Sequence, residues 1–353
     1  MTTFACAENP VFDASYNELG LNELEDAKPD SADDIKLSEN ISLDDGLANI
    51  FESVKKGVRE ATGRGFKCVF VIVAVSMLSE LASSLFQGEE NAVVKSCISI
   101  VSAIGVTAAA SGSLNSVMSL GRDFLSDMDV FSKALMPSLA AAEAACGLPG
   151  AAMVKSTAAV IFSDVLITLV NYALVPLVYI SVFSATANAA SPNKTLLKIS
   201  DLAVKTISLT LKITLGAFVS YVTVAGVISG NVDKAGLKTA QFAIGGVVPV
   251  VGGIISEAAE TVIAGASLLK NAIGVFGMLS ILSACVAPFI TIGINFLVFK
   301  CASVLASPVI GGNISELTDR IGTGFGMLLA MNASCATVLF ISIIMSLSAV
   351  GVL

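Results

Sequence analysis

The residues best placed to do chemistry are ionisable side chains set inside apolar stretches: Glu80, Glu143, Asp164, Lys212, Glu257, Glu260 and Lys270. A charge surrounded by hydrocarbon is costly, so such groups mark conduits, proton relays or structural ion pairs. Glu257 and Glu260 are three apart and share one face of a helix. Two carboxylates together in a low dielectric share a proton or recruit a cation, for which Lys270 is a candidate. Two readings stay open: a polar lining for a conduit or subunit contact, or an internal ion pair or interfacial glutamates that fix helix register. Lys212 lies near the start of its stretch and is expected to snorkel to the interface.

Other chemistry is excluded by what the chain lacks. Without His there is no Ser-His-Asp, Cys-His or His-metal mechanism. Neither G-x-S-x-G nor a phosphate-binding Walker sequence occurs. The seven cysteines are scattered with no C-x-x-C pair, so they read as small core residues rather than a metal or redox set. No cofactor and no catalytic residue is expected, nor any nucleic-acid partner.

The elements that must hold these residues are membrane helices. Of 353 residues 55% are hydrophobic and 14% charged, against roughly 25% charged in a soluble domain. The charge is segregated. Residues 1–54 hold 13 Asp/Glu and 2 Lys, which leaves a slightly basic, very apolar body. Residues 1–40 read as an acidic, disordered leader. Ala5-Cys6-Ala7 has the form of the end of a signal peptide, without the apolar core that normally precedes it.

Residues 41–65 read as an amphipathic interfacial helix. Leu43, Leu47, Ile50, Phe51, Val54 and Val58 share a face, while Lys55, Lys56 and Arg59 lie off it. Residues 66–353 read as an all-α polytopic bundle of about seven spans, since about 20 apolar residues cross a bilayer. The expected spans are 66–86, 96–114, 136–154, 158–183, 207–228, 272–299 and 322–353. The positive-inside rule puts the amino side of the first span in the cytoplasm, whereas a cleaved signal peptide puts the leader outside. Between the fifth and sixth spans Gly245, Gly246, Pro249, Gly252 and Gly253 interrupt an apolar run. The segment reads either as a broken or re-entrant helix inside the bundle or as an interfacial loop.

That same segment carries a family resemblance. Gly245-Gly246-Val247-Val248-Pro249-Val250-Val251-Gly252-Gly253, with Ser256, Glu260-Thr261, Ala266-Ser267-Leu268-Leu269-Lys270-Asn271 and Gly274, resembles the signature of stage III sporulation protein AE. A second stretch, Phe131 to Gly147 with Met136-Pro137, is similar to another family segment. The resemblance implies a multi-pass protein of the mother-cell membrane surrounding the forespore. It implies partners too: the other stage III A sporulation proteins and, through them, the forespore stage II protein Q, in a channel-like, secretion-related complex that supports late forespore development. Self-association and contact with membrane lipid are also expected. The family has no established catalytic residues to carry over. Candidate conduit or subunit-contact residues are Gly245, Gly246, Pro249, Gly252, Gly253, Glu257, Glu260, Lys270 and Asn271. The competing expectation is an independent secondary transporter that uses its intramembrane carboxylates.

Overall fold

The computed structural model describes residues 21–32, 35, 43–86, 92–147, 149–247, 252–307 and 312–348, excluding the side chains of 225–265 and of most of 43–61. Everything regular in it is helical. A short helix α1 (Leu21–Asp26) and a 3-10 turn (Asp30–Ala32) precede the long helices α2 (Leu43–Leu85) and α3 (Ala92–Ala145). Next come α4 (Pro149–Leu169), a π-helical turn (Val170–Leu174) and α5 (Val175–Ala190). The last three helices are α6 (Lys194–Val247), α7 (Gly252–Ala306) and α8 (Gly312–Ser348). Leu, Ala, Val and Ile fill these rods, so each backbone hydrogen bond closes within its own helix, as an apolar solvent requires.

Among the described residues six stretches are long and apolar enough to cross a membrane: Phe66–Leu85, Val93–Ala145, Ala152–Ala190, Lys194–Val224, Ala266–Val304 and Asn313–Leu347. The sequence reading counted about seven because it split residues 96–154 into two spans. Instead α3 runs unbroken through Pro137 to Ala145, and the chain reverses at Gly147, whose φ of 86° suits a residue without Cβ. Residues 136–154 are therefore the tip of a hairpin, not a crossing. Its two arms are zipped by Lys155 and Glu143, 3.7 Å apart, and by Lys133 and Asp164, 3.5 Å apart. These pairs are nearly symmetric about the turn.

Each proline within these rods has its accommodation. Pro176 follows the π-helical turn, where the widened coil makes room for a ring that cannot donate and crowds the preceding turn. Pro288 lies within a continuous α7 and does not break it. The interfacial helix and the first span, distinguished in the sequence, form one helix, α2. Part of the acidic leader is ordered as well. Leu24 and Ala32 are fully buried, and the Ser283 hydroxyl of α7 donates to the Ser31 carbonyl. Three buried apolar side chains, those of Leu24, Ala32 and Ile35, and one hydrogen bond to α7 hold a polar segment that composition alone reads as disordered.

Hydroxyls knit the rods together. The Ser102 hydroxyl donates to Ser79 at 2.6 Å, joining α3 to α2. Thr107 and Thr186 hydroxyls meet at 2.8 Å between α3 and α5, and Ser181 and Ser200 at 2.8 Å between α5 and α6. Small residues bring backbones close. A Cβ on Gly274 would lie 2.5 Å from Leu347, and one on Gly277 would lie 2.9 Å from Leu135. Small and hydroxyl residues at contacts are what helix association in lipid relies on. Phe131, Phe218, Phe276, Phe299 and Phe325 fill the centre.

Candidate functional site

The most concentrated buried chemistry gathers at the carboxyl end of α8. That helix ends with carbonyls that have no partner further along the chain and with the negative end of its dipole. Two lysines supply both needs. Lys270, fully buried, donates from Nζ to the Ser346 carbonyl at 2.9 Å and to the Leu347 carbonyl at 3.2 Å. Lys155, 9% exposed, donates to the Met345 carbonyl at 3.1 Å. Glu143, 1% exposed, accepts from the Ser346 hydroxyl and faces Lys155.

Four helices meet here. The hairpin turn at Gly147 places Glu143 and Lys155 on facing arms, and α7 runs antiparallel to α8, so that Lys270 in the first half of α7 meets the end of α8. The recess beside Glu143, Lys155, Ser156, Ser342 and Ser346 measures about 10 Å³, room for about one water and not for a substrate. Its chemistry is that of a clamp: two ammonium groups against one carboxylate and a helix terminus.

A second polar knot ties the amino-terminal end of the same helix. Lys300 donates to Asp319 at 2.8 Å and to the Thr323 hydroxyl at 2.8 Å. Arg320 pairs with Asp201 and, at 3.3 Å, with Glu316. The Ser315 hydroxyl donates to the Ser303 carbonyl at 2.8 Å. Between the knot and the clamp α8 carries no charge from Ile321 onward.

The sequence candidates distribute as follows. Gly245 and Gly246 lie in the last described turn of α6, and Gly252 and Gly253 open α7, so the break expected at two Gly pairs and a Pro falls on residues 248–251, outside the described residues. Pro249, between them, falls outside the described residues, as do the side chains of Glu257 and Glu260. Because α7 is one helix, Glu257 and Glu260 stand about 20 and about 15 Å from Lys270 along its axis, at 1.5 Å per residue. Lys270 therefore does not serve them as the nearby cation; it serves α8 beside Glu143. Asn271 is exposed.

Of the other charges noted in the sequence, Asp164 is exposed and faces Lys133, and Lys212 is exposed. Lys155 and Ser346 escaped the sequence reading. Lys155 sat at the end of a supposed span, and the last turn of a helix gives no sign of what caps it from another helix. Among the described residues no group of three or more His, Cys, Asp or Glu is placed to hold a metal ion.

The fold and its two knots define a polytopic, all-helical membrane protein whose last helix is held by buried charge at its carboxyl end and by partly exposed ion pairs near its amino end. Residues 30–350 match the family model described as stage III sporulation protein AE, and the chain belongs to that family. It is 25% identical over 298 residues, 82% of this chain and 72% of the relative, to the stage III sporulation protein AE of Bacillus subtilis (strain 168). No solved structure matches it. The family places the chain in sporulation.

Proposed function

We propose that this chain is a non-enzymatic membrane subunit of the stage III A–stage II Q assembly, multi-pass in the mother-cell membrane around the forespore and needed for late forespore development. The observation that carries the reading is how the buried charge is used. Lys155, Lys270 and Glu143 are engaged in holding helices together, around a recess too small for a substrate. A protein whose interior charge serves fixed geometry suits a platform on which partners assemble. Family membership supplies the sporulation context.

A charged outer face supports the partner role. Arg122, Asp123, Asp127 and Lys133 of α3 are exposed, with Asp164 of α4 beside them. The ordered part of the leader seats on the same side of the bundle, against α7. The Gly-Pro segment that links α6 and α7 is the proposed conduit or subunit contact.

The test is a sporulating strain whose chromosomal copy carries Gly252→Leu or Pro249→Leu. Normal insertion with a block in late forespore gene expression is expected, and full spore yield from both variants would remove the segment's role. Gradient-driven flux in liposomes by the purified chain alone, lost in Glu260→Gln, would instead establish the transporter reading.

A further inference from the structure

A recess of about 310 Å³ opens where α2, α3 and α7 converge, lined by Lys67, Gly112, Ser113, Ser116, Thr291 and Asn295. The volume is in the range of small-ligand sites. Its depth in the membrane can be read from two helices. On α2 the apolar stretch begins at Phe66, and Phe66, Phe70 and Val71 are exposed. On α3 the outer face passes from Val93, Val101 and Ile104, all exposed, to Arg122, Asp123 and Asp127. Both helices change from apolar to charged at the level of the recess, which is the level of lipid headgroups.

The lining is chemically one-sided. Lys67 makes no hydrogen bond or ion pair with the described residues, although it stands at the edge of an apolar span. Ser113 and Ser116 of α3 line the same recess, with the Ser113 hydroxyl also beside the Cys68 thiol. Asn295 is 5% exposed, and its amide donates to the Thr291 carbonyl at 2.8 Å, which fixes the side chain in the wall. Gly112 leaves the floor open, since a Cβ there would meet nothing within 4 Å. None of the lining residues is acidic. A cation, two hydroxyl donors and an amide around a pocket of this size are the groups that bind a phosphate.

We propose that this recess binds the headgroup phosphate of an anionic phospholipid, with Lys67 as its counter-ion and the Ser113 and Ser116 hydroxyls as donors. A zwitterionic headgroup brings its own cation toward Lys67 and binds less well. The acyl chains run down the apolar surface that Phe70 and Val71 expose. The inference rests on membrane embedding and not on the channel reading: spore yield tests one, lipid retention the other.

The test uses the full chain reconstituted in nanodiscs of equal phosphatidylglycerol and phosphatidylcholine, released into detergent and weighed by native mass spectrometry. Phosphatidylglycerol is expected to be retained over phosphatidylcholine, and Lys67→Gln to lower its retention about tenfold, the worth of one charge-assisted hydrogen bond. Lys67→Arg should keep it. Gly112→Leu adds a side chain at the recess, where its Cβ meets nothing within 4 Å, and should lower retention with the helix bundle intact. Excess inorganic phosphate should leave the lipid in place. Equal retention of both lipids, unchanged retention in Lys67→Gln and Gly112→Leu, or displacement by free phosphate would overturn the assignment.

Discussion

Lys270 shows how a single side chain can serve three neighbours. Its ammonium holds two carbonyls of α8 and adds positive charge beside Glu143, all out of contact with water. Removing it leaves carbonyls uncapped in an apolar setting, where a lost charged hydrogen bond costs about 2–3 kcal/mol. Lys270→Ala should therefore lower the thermal midpoint in detergent by several degrees, while exposed Asn271→Ala next to it should leave the midpoint unchanged. Glu143→Ala is the sharper change. It strands Lys155 without its carboxylate, and breaking a buried pair costs about 3–5 kcal/mol. Calorimetry in detergent should rank Glu143→Ala below Lys270→Ala; a midpoint equal to the parent's in both would mean that the clamp does not hold the fold. The sequence marked Lys270 and Glu143 as charges out of place in apolar surroundings, which is why they were legible. What they touch was not, because the acceptors are backbone carbonyls more than seventy residues further along the chain for Lys270 and carry no side-chain signal.

At the scale of the elements, composition gave helices and a membrane, and the lengths of the apolar stretches gave where most of them lie. The hairpin tip was misread for a physical reason. Residues 136–154 have the length and apolarity of a span, yet Gly147 adopts a left-handed φ and Pro149 opens the next helix. A turn made of apolar residues looks like a crossing to any measure of hydropathy. Gly147→Ala should cost about 1 kcal/mol for the strained φ and loosen the Glu143–Lys155 pairing across the turn. The readout is faster proteolysis at the tip with the α7–α8 contact intact, and unchanged protease sensitivity would argue against a strained turn. Close approach at Gly274 makes a contrasting case. A side chain there meets Leu347 at the end of α8, so Gly274→Val should destabilise by about 1–3 kcal/mol through overpacking. Gly112→Ala, with open space around it, should be near neutral.

The whole molecule is a bundle of rods of up to 55 residues, about 80 Å if straight, against a hydrocarbon core of about 30 Å. Its helices outrun one bilayer, so the bundle offers protein surface beyond the lipid as well as within it. Under the proposed role, the charged face of α3 and α4 and the seated leader are the surfaces to which partners would come. The proposed function and the lipid site rest on one requirement, that the body after the acidic leader is integral to the membrane. Carbonate extraction of membranes from cells making the full-length chain tests this most directly. The protein should stay with the membrane pellet at alkaline pH and leave it only with detergent; recovery in the aqueous supernatant, monodisperse without detergent, would contradict the account.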